Sequence, residues 1–252
     1  MAGLDFDAAF DLRGQVAVIT GAAGGIGRAL ATAFASRGAR LALLDRDPAV
    51  RTLAAEHPGA EGFVLDIAAE REVADTVQRI ARGFGRIDVL VNNAAIGHVG
   101  RAEEIPVAEW DEVLRINLGA QFLVTRAVAP HMLAREYGRV VFIASQASIV
   151  GLDEHTAYCA AKTGLLGMAR CMAIEWGPRG ITVNCVSPTV VETPMALVGW
   201  SGEKGERAKE EIPCRRFARP DEIALGVLFL SSGAAGMING ANLPIDGGYT
   251  IR

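Results

Sequence analysis

Short runs rich in Val, Ile and Leu recur along the chain and alternate with longer segments that have helical spacing of apolar residues. The short runs are nearly continuous in apolar residues, which is typical of strands covered on both faces in a parallel sheet. These predicted strands occupy 15–20, 40–45, 62–66, 88–94, 139–145, 181–187 and 241–246. Helices are predicted between them at 26–37, 68–83, 107–136, 155–177 and 220–231.

This alternation predicts an α/β protein with a single doubly wound Rossmann domain over residues 1–252. Its seven-stranded parallel sheet is flanked by helices. No linker, repeat or low-complexity segment divides the chain. The segment 189–216 interrupts the rhythm with charges, glycines and Trp200, and no strand is evident in it. We expect it to be a substrate loop, because long insertions in compact domains are more often functional than idle.

Charge and cysteine content exclude several classes of protein. The 25 Lys and Arg against 29 Asp and Glu give a net charge of −4, without a basic block. This argues against nucleic acid or a membrane as partner. The four cysteines have no paired spacing, so we expect reduced thiols in a cytoplasmic protein and no metal site. The acidic start resembles no secretory signal, and the uncharged stretch 224–245 is too interrupted to span a membrane.

A glycine-rich turn follows the first predicted strand. The sequence "TGAAGGIG" places Gly21, Gly25 and Gly27 directly between a strand and a helix, with Gly24 and Ile26 among them. Glycines at this point allow the backbone N–H groups of a helix N-terminus to approach a pyrophosphate. A turn without any ligand is the alternative, but the position after the first strand favours dinucleotide binding.

The second strand ends in an acid that bears on the choice of cofactor. Asp45 lies 24 residues beyond Gly21, where a carboxylate can accept hydrogen bonds from ribose hydroxyls and repel a 2′-phosphate. NAD is therefore favoured over NADP. Arg46 beside it favours the opposite choice, since a basic side chain there can contact the 2′-phosphate of NADP. Alternatively, Asp45 only caps the next helix.

A phenol and an ammonium group stand four residues apart in "YCAAK". On a helix, Tyr158 and Lys162 share one face. A cation at about 4 Å, with an effective dielectric constant of about 20, favours phenolate by about 4 kcal/mol. That is up to about three pKa units, which makes a tyrosine a usable acid or base near neutrality. A chance pairing on an ordinary helix is the alternative.

Taken together, the motifs resemble the short-chain dehydrogenase/reductase family. They are "TGAAGGIG", "NNAA" at 92–95, "INL" with Asn117, Ser145 thirteen residues before Tyr158, "YCAAK", "VNCVSPTVVETPM" and "DGG" at 246–248. They occur in the family's order across nearly the whole chain. Two positions depart from the family pattern: "NNAA" replaces the usual NNAG, and Thr189 stands where glycine is common.

The resemblance implies a role for each matching polar residue. Tyr158 would be the general acid or base, and Lys162 would lower its pKa and bind the nicotinamide ribose. Ser145 would hold the reacting oxygen, and Asn117 would hold a water that passes protons toward Lys162. The implied contacts to NAD are Asp66 and Ile67 at the adenine, Asn93 and Ala94 at its ribose, and Pro188, Thr189, Val191 and Thr193 around the nicotinamide.

Substrate choice is expected in the loops beside the catalytic pair. The stretch "QASIVGLDEHTAY" offers several hydrogen-bonding groups, although "LDEH" also reads as a helix N-terminus with Asp153 as its N-cap. The predicted substrate contacts are Ser145, Gln146, Ala147, His155, Tyr158, Thr189 and Trp200, the last in a segment able to fold over the site as a lid or to pack against the body of the protein.

Three stretches narrow the resemblance to the sugar-alcohol branch of the family: "SPTVVETPMALVGWSGEKGE", "LDEHTAYCAAK" and "LPIDGGYTIR". This implies NAD-dependent oxidation of tetritols and pentitols such as D-threitol and D-arabitol, by a homotetramer or alternatively a dimer. One alternative is an NADPH-dependent reductase of ketones or 3-oxoacyl thioesters, against which Asp45 argues. Another is a catalytically silent dinucleotide sensor, but Ser145, Tyr158 and Lys162 are all present.

Overall fold

Seven parallel strands form one sheet in the computed structural model, which describes residues 5–252 apart from the side chains of Met195, Leu197 and Val198. The strand order is β3-β2-β1-β4-β5-β6-β7. The strands are β1 Val16–Thr20, β2 Arg40–Asp45, β3 Glu61–Val64, β4 Val89–Asn92, β5 Gly138–Ile143, β6 Ile181–Pro188 and β7 Asn242–Ile245. The prediction of a seven-stranded parallel sheet with flanking helices is confirmed.

Helices cover both faces of this sheet. They are α1 Phe6–Ala9, α2 Gly25–Ser36, α3 Ala49–Ala55, α4 Glu70–Phe84, α5 Val107–Leu114, α6 Gln121–Leu133, α7 Thr156–Trp176, α8 Pro194–Gly199, α9 Gly202–Glu211 and α10 Pro220–Ser231. A π-helical segment, Arg115–Ala120, joins α5 to α6. None of the helices within residues 5–252 has both the length and the apolar character that crossing a membrane requires.

Burial of alternate strand residues on opposite faces explains the two halves of the core. In β1, Ala17 and Ile19 belong to a cluster with residues of α2, α3 and α10, whereas Val18 belongs to a cluster with residues of α4, α6 and α7. Every residue of β1 is buried. Nearly continuous apolar strands are therefore what a sheet covered on both sides requires.

The structure differs from the prediction where helices are short or irregular. The seven-residue α3 was not predicted, because it is too short to show a helical period; the Asp47 carboxylate accepts the N–H of Ala49 at its start. The helix predicted at 107–136 contains the π-helical segment. The predicted loop 189–216 is largely helical, since α8 and α9 occupy most of it.

The carboxyl ends of the parallel strands meet at one edge of the sheet. The chain order reverses between β1 and β4, which lie side by side although β1 also pairs with β2. Ligands of open α/β sheets bind in the crevice at such a point. The glycine-rich turn and the loops after β2, β4, β5 and β6 all begin at this edge.

Candidate active site

The glycine-rich turn is packed too closely for larger residues at two positions. Gly21 has a φ of +64°, and a Cβ there would lie 2.7 Å from the Cα of Ala94. A Cβ on Gly27 would lie 2.2 Å from the carbonyl oxygen of Gly21. α2 begins at Gly25, and its N-cap Gly24 supplies no side chain. The free N–H groups of a twelve-residue helix thus face a cradle that fits the pyrophosphate of a dinucleotide.

Thr20 connects this turn to the loop after β4. Its buried Oγ1 accepts hydrogen bonds from the N–H groups of Asn93, at 2.9 Å, and Ala94, at 3.1 Å. In return, Asn93 Nδ2 donates to the carbonyl oxygens of Thr20 and Gly21, both at 3.0 Å. Sequence reasoning found Asn93 and Ala94 but missed Thr20. Its signal was a hydroxyl at the end of a buried strand, directly before the first glycine.

Asp45 faces the glycine-rich turn at the end of β2. Its Oδ2 accepts the N–H of Ala23 and its Oδ1 that of Asp47, each at 2.9 Å. Each oxygen keeps a further lone pair for a ligand hydroxyl. The carboxylate that accepts an N–H at the start of α3 is that of Asp47, from Ala49, and not that of Asp45. Arg46 is exposed, and its guanidinium has no hydrogen-bond partner within residues 5–252.

The predicted adenine contacts follow β3. Asp66 is exposed, accepts the N–H of Ala68 at 2.9 Å and lies 3.9 Å from an Arg115 nitrogen. Ile67 is only 6% exposed and belongs to the core. Its backbone, and not its side chain, is therefore the part of the residue that a nucleotide can reach.

A cavity of about 910 Å³ continues from the glycine-rich turn past the carboxyl ends of β5 and β6. Ile26 and Asn93 stand on its cofactor side, and Trp200 stands in the predicted lid. Tyr158 and Lys162 line it between them. The lining residues that were missed in the sequence include Ile96, His98, Leu152, Lys204, Arg207, Glu211 and Tyr249.

Lys162 lies under the ring of Tyr158. Its Nζ is 5.6 Å from the ring centroid and donates a hydrogen bond to the carbonyl oxygen of Ile143 at 2.7 Å. The side chain is 1% exposed, and burial lowers the pKa of Lys162 to about 8. The pair therefore gives up its first proton near neutrality rather than above pH 10.

The expectation that Lys162 lowers the pKa of Tyr158 is wrong for the chain by itself. Burial of the phenol raises its pKa, and the neighbouring Ser145 hydroxyl opposes that shift only in part. The charge argument placed an ammonium about 4 Å from the phenol in a polarisable medium. In the structure both groups are desolvated, which disfavours charge on either one.

Ser145 follows the fifth strand, two residues after its end at Ile143, and lines the cavity. It is the N-cap of a short 3₁₀ turn, Gln146–Ser148, and its Oγ accepts the N–H of Ala147 at 3.1 Å. Ala147 was predicted to contact substrate, but its side chain is 2% exposed and does not line the cavity. Its backbone instead orients the Ser145 hydroxyl.

Asn117 lies in the π-helical segment, a kind of irregularity that recurs at functional sites. Its Oδ1 accepts the N–H of Ile96, and its Nδ2 donates to the Ile96 carbonyl oxygen, both at 2.8 Å. The side chain is fully buried. It ties the loop after β4 to the helix. Each polar atom keeps one further bonding position, so the predicted water stays a prediction.

The residues predicted around the nicotinamide converge on the cavity. Pro188, Thr189, Val191 and Thr193 all line it. Thr193 caps α8 by accepting the N–H of Ala196 at 3.2 Å. A Cβ on Gly25 would lie 2.6 Å from the Thr193 Cγ2. The segment after β6 therefore rests directly on the glycine-rich turn.

Two buried polar side chains of the cavity wall have no protein partner. Gln146 is 6% exposed and Thr189 is 7% exposed. The Gln146 Oε1 and the Thr189 Oγ1 each lack a hydrogen bond. Buried polar atoms of this kind are costly unless something bonds to them, so they indicate a polar ligand.

His155 and Trp200 line the same cavity as Tyr158 and Lys162. The His155 ring stands edge-on to Tyr158, with centroids 6.3 Å apart. α7 begins at Thr156 with His155 as N-cap, so the alternative with Asp153 as N-cap is wrong. Trp200 lines the cavity and also packs edge-on against Phe217, at 6.2 Å between centroids. Trp200 thus packs against the body of the protein, and the lid stays a prediction.

Comparison with known proteins identifies relatives over nearly the whole chain. Residues 21–250 match the family model described as enoyl-(acyl carrier protein) reductase. A D-threitol dehydrogenase of Mycolicibacterium smegmatis is 48% identical, covering 99% of this chain and 97% of its own. An NAD-dependent glycerol dehydrogenase of Listeria innocua is 41% identical, covering 98% of each.

Solved structures share the same architecture. The crystal structure of a candidate NAD(P)-dependent gluconate 5-dehydrogenase from Beutenbergia cavernae, with NADP bound at low occupancy, superimposes with a TM-score of 0.92 at 37% identity. The match covers 97% of this chain and 100% of that one. Motifs, fold, site geometry and relatives agree, and the chain belongs to the short-chain dehydrogenase/reductase family of oxidoreductases.

Proposed function

We propose that the protein oxidises a secondary hydroxyl of a small polyol, a tetritol or pentitol such as D-threitol or D-arabitol, to the ketone with NAD. The observation that carries this proposal is the pair of unpartnered groups on Gln146 and Thr189. They lie in the same cavity as Ser145 and Tyr158. A substrate with hydroxyls beside the reacting carbon satisfies both groups, whereas an apolar alcohol leaves them unpaired.

The arrangement of the side chains supports this reaction. With NAD bound in the cradle of the glycine-rich turn, the cofactor accepts the hydride. Ser145 holds the reacting oxygen, and Tyr158 removes its proton. Tyr158 does so as the phenolate and becomes the neutral phenol. The cationic form of Lys162, whose Nζ lies 5.6 Å from the ring centroid, stabilises the phenolate before this transfer.

NAD rather than NADP is supported by Asp45. Its carboxylate lies beside the glycine-rich turn and has lone pairs available for ribose hydroxyls. A 2′-phosphate at the same position would be repelled. Relatives include one named for NAD and one with NADP bound, so this choice depends on Asp45 itself.

The two most similar curated relatives described above act, by name, on D-threitol and on glycerol. Both are small, uncharged polyols. This agrees with a cavity wall on which hydrogen-bonding groups, among them Ser145, Gln146 and Thr189, stand between apolar residues.

Initial rates test the proposal. NAD and NADP reduction is measured with tetritols, pentitols, hexitols and simple secondary alcohols. We expect strong NAD-dependent rates with one or two polyols and little with monoalcohols, because a site built to bond hydroxyls rejects analogues that lack them. Reduction of a ketone or 3-oxoacyl thioester with NADPH, without polyol oxidation, would overturn the proposal.

Two variants test whether Gln146 and Thr189 cause the preference for polyols over simple alcohols. Gln146→Leu and Thr189→Val keep the approximate side-chain volume but remove the unpartnered polar atoms. Each is expected to lower kcat/KM for the preferred polyol by about tenfold, since one hydrogen bond is lost. Rates with a simple secondary alcohol are the control and should change little.

We also propose a homotetramer in the cytoplasm. α7 leaves a stripe of small and apolar residues uncovered, including Ala160, Gly167, Cys171 and the 78% exposed Ile174. A second copy of the chain packing on this stripe would bury it. Light scattering of the purified protein tests this. A monomer, or a dimer unaffected by Gly167→Arg, would contradict it.

A further inference from the structure

His98 is a cavity residue to which the reaction described above gives no role. It lies in the loop after β4 and lines the same cavity as Tyr158. Its Nδ1 is 2.8 Å from a carboxylate oxygen of Glu109, on α5. A carboxylate only accepts hydrogen bonds, so Nδ1 carries the proton and Nε2 of the neutral ring is an acceptor. That Nε2 has no partner among the residues the structure describes.

His155 is held in the same way on the neighbouring loop. Its Nδ1 is 2.5 Å from the carbonyl oxygen of Asp153, so it too must donate from Nδ1. Its Nε2 is then also an acceptor, and no described residue donates to it. Two imidazoles on adjacent loops thus present acceptors to one cavity.

The two loops are joined by backbone contacts. The N–H of Gly100 donates to the carbonyl oxygen of Glu154 at 2.8 Å, and Gly100 forms an isolated β-bridge with His155. Glu154 has a φ of 60°, a left-handed conformation that is unfavourable for a residue with a side chain. The strained backbone beside His155 is held by this pairing. The histidines therefore keep a fixed relation to each other.

Charges of both signs surround this part of the cavity, and neither sign forms a patch of its own. Asp153, Glu154 and Glu211 contribute carboxylates, and Lys204 and Arg207 contribute cations. Neither an anionic nor a cationic substrate group is favoured by such a set. An uncharged group that donates hydrogen bonds, such as a hydroxyl, satisfies the imidazole acceptors without adding charge.

We infer that His98, oriented by Glu109, determines substrate specificity by accepting a hydrogen bond from a polyol hydroxyl beyond the reacting carbon, with His155 as a second acceptor. The inference rests on the proposed function and deepens it. It assigns the outer part of the cavity to the far hydroxyls of the substrate. Glu109 is a positioning residue that acts through the His98 ring.

Two substrates distinguish recognition of the far hydroxyls by His98 from a contribution of His98 to the oxidation of any alcohol. D-Threitol and the matching stereoisomer of butane-2,3-diol share four carbons and the central diol, but the second lacks both terminal hydroxyls. For His98→Phe we expect kcat/KM to fall about tenfold with D-threitol, the effect of one hydrogen bond, and to change little with the butanediol. His98→Gln, which retains an acceptor, should recover part of the loss.

Glu109→Gln provides the second test. It should reproduce the same difference between the two substrates at smaller size, because the amide oxygen accepts the Nδ1–H of His98 more weakly than the carboxylate and holds the ring less firmly. Thermal unfolding of each variant is the control for folding; His98 has 25% of its side chain exposed, so the fold should tolerate the change. Equal losses with both substrates, or no loss with either, would overturn the inference.

The wild-type rates separate failure of this inference from failure of the proposed function. If the wild-type protein oxidises no polyol with NAD, the proposed function fails, and the inference falls with it. If the wild type prefers another polyol, that polyol and its analogue without terminal hydroxyls replace the pair. If polyols are oxidised but the His98 variants do not discriminate within the pair, only the inference is wrong.

Discussion

The cofactor side and the substrate side of the crevice differ in how far their polar side chains are hydrogen-bonded within the protein. On the cofactor side, Thr20, Asn93 and Asp45 are bonded to neighbouring backbone, and glycines fill spaces too small for any side chain. On the substrate side, Gln146 and Thr189 are buried without partners. The side chains of Thr20, Asn93 and Asp45 are thus held in place by the protein before anything binds, whereas the buried polar atoms of Gln146 and Thr189 are not.

This difference follows from what each side has to recognise. A dinucleotide has one shape, so a rigid backbone cradle with few side chains suffices. A substrate that must be distinguished from similar alcohols is recognised by groups that it alone satisfies, and such groups stay unpaired until it binds. The catalytic pair, Tyr158 and Lys162, stands at the junction of the two halves.

The largest expected effect comes from removing the phenol at that junction. Tyr158→Phe should lower kcat by about 10³-fold or more, since general acid–base catalysis contributes about 10²–10⁴-fold. NAD affinity should stay near the wild-type value, because the cradle is untouched. Steady-state kinetics and calorimetric titration with NAD measure the two quantities. A variant that kept most of its turnover would contradict the assigned chemistry.

A glycine substitution tests the rigidity of the cofactor side. Gly27→Ala places a Cβ 2.2 Å from the Gly21 carbonyl oxygen, so the turn must shift. We expect about a hundredfold weaker NAD binding and a loss of stability of about 1–3 kcal/mol from overpacking. Gly24→Ala is the matched control, because its Cβ meets nothing closer than 3.5 Å. Equal behaviour of the two variants would show that the turn is not rigid.

Cofactor choice is the next largest effect. Asp45→Ser removes the charge that opposes a 2′-phosphate. Charges about 4 Å apart near a surface interact by about 1–4 kcal/mol, so the NADP-to-NAD ratio of kcat/KM should rise about five- to several hundredfold. Asp47→Ser is the control, since that acid instead accepts the N–H of Ala49 at the start of α3. No change in the ratio would remove the argument for NAD.

The smallest effect is a pH dependence shared by the catalytic pair. Because burial lowers the pKa of Lys162 to about 8, the pair holds one proton fewer above that pH. Protons of interacting groups leave in steps that belong to the pair. Alcohol oxidation needs the deprotonated pair, so kcat/KM should rise through a pH of about 8 and then level. A flat profile in wild-type protein would contradict this. Ser145→Ala removes the hydroxyl that lowers the pKa of Tyr158, so it should lower the rate and move the midpoint upward.

The free energy of unfolding should also depend on the titration of Lys162. In the unfolded chain Lys162 keeps its proton up to the ordinary lysine pKa of 10.5, whereas in the folded protein the lowered pKa of about 8 releases it earlier. Between these values the unfolded state binds more protons, so the contribution of Lys162 to stability rises with pH. Denaturant unfolding of wild type and Lys162→Met at several pH values compares the two slopes. Identical slopes in the two proteins would contradict the lowered pKa.

Features with a repeating or local physical cause could be predicted from the sequence. Continuous apolar strands indicated the sheet, and the four-residue spacing of Tyr158 and Lys162 placed them on one face. The short helix α3 and the π-helical segment are too brief or irregular to show a period. The pKa of Tyr158 depends on burial, which one helix does not reveal.

The substrate side was harder for a related reason. Its residues come from loops whose paths depend on long-range contacts. His98 and Glu109 meet across a loop and a helix, and Gly100 pairs with His155, far along the chain. Ala147 was assigned to the cavity from its place beside Ser145, yet the 3₁₀ turn directs its side chain inward.

The π-helical segment between α5 and α6 inserts an extra residue into what would otherwise be one continuous helix. It therefore changes which side chains face the same direction before and after it. Each residue of an α-helix advances about 100° around the axis, so an extra residue rotates everything before it relative to everything after it. Before the segment, Glu109 is turned toward His98; after it, Gln121 reaches the carbonyl oxygen of Ala94 at 3.1 Å. Deleting one residue from 115–120 would leave a regular helix in which Glu109 and Gln121 could no longer both face their present partners.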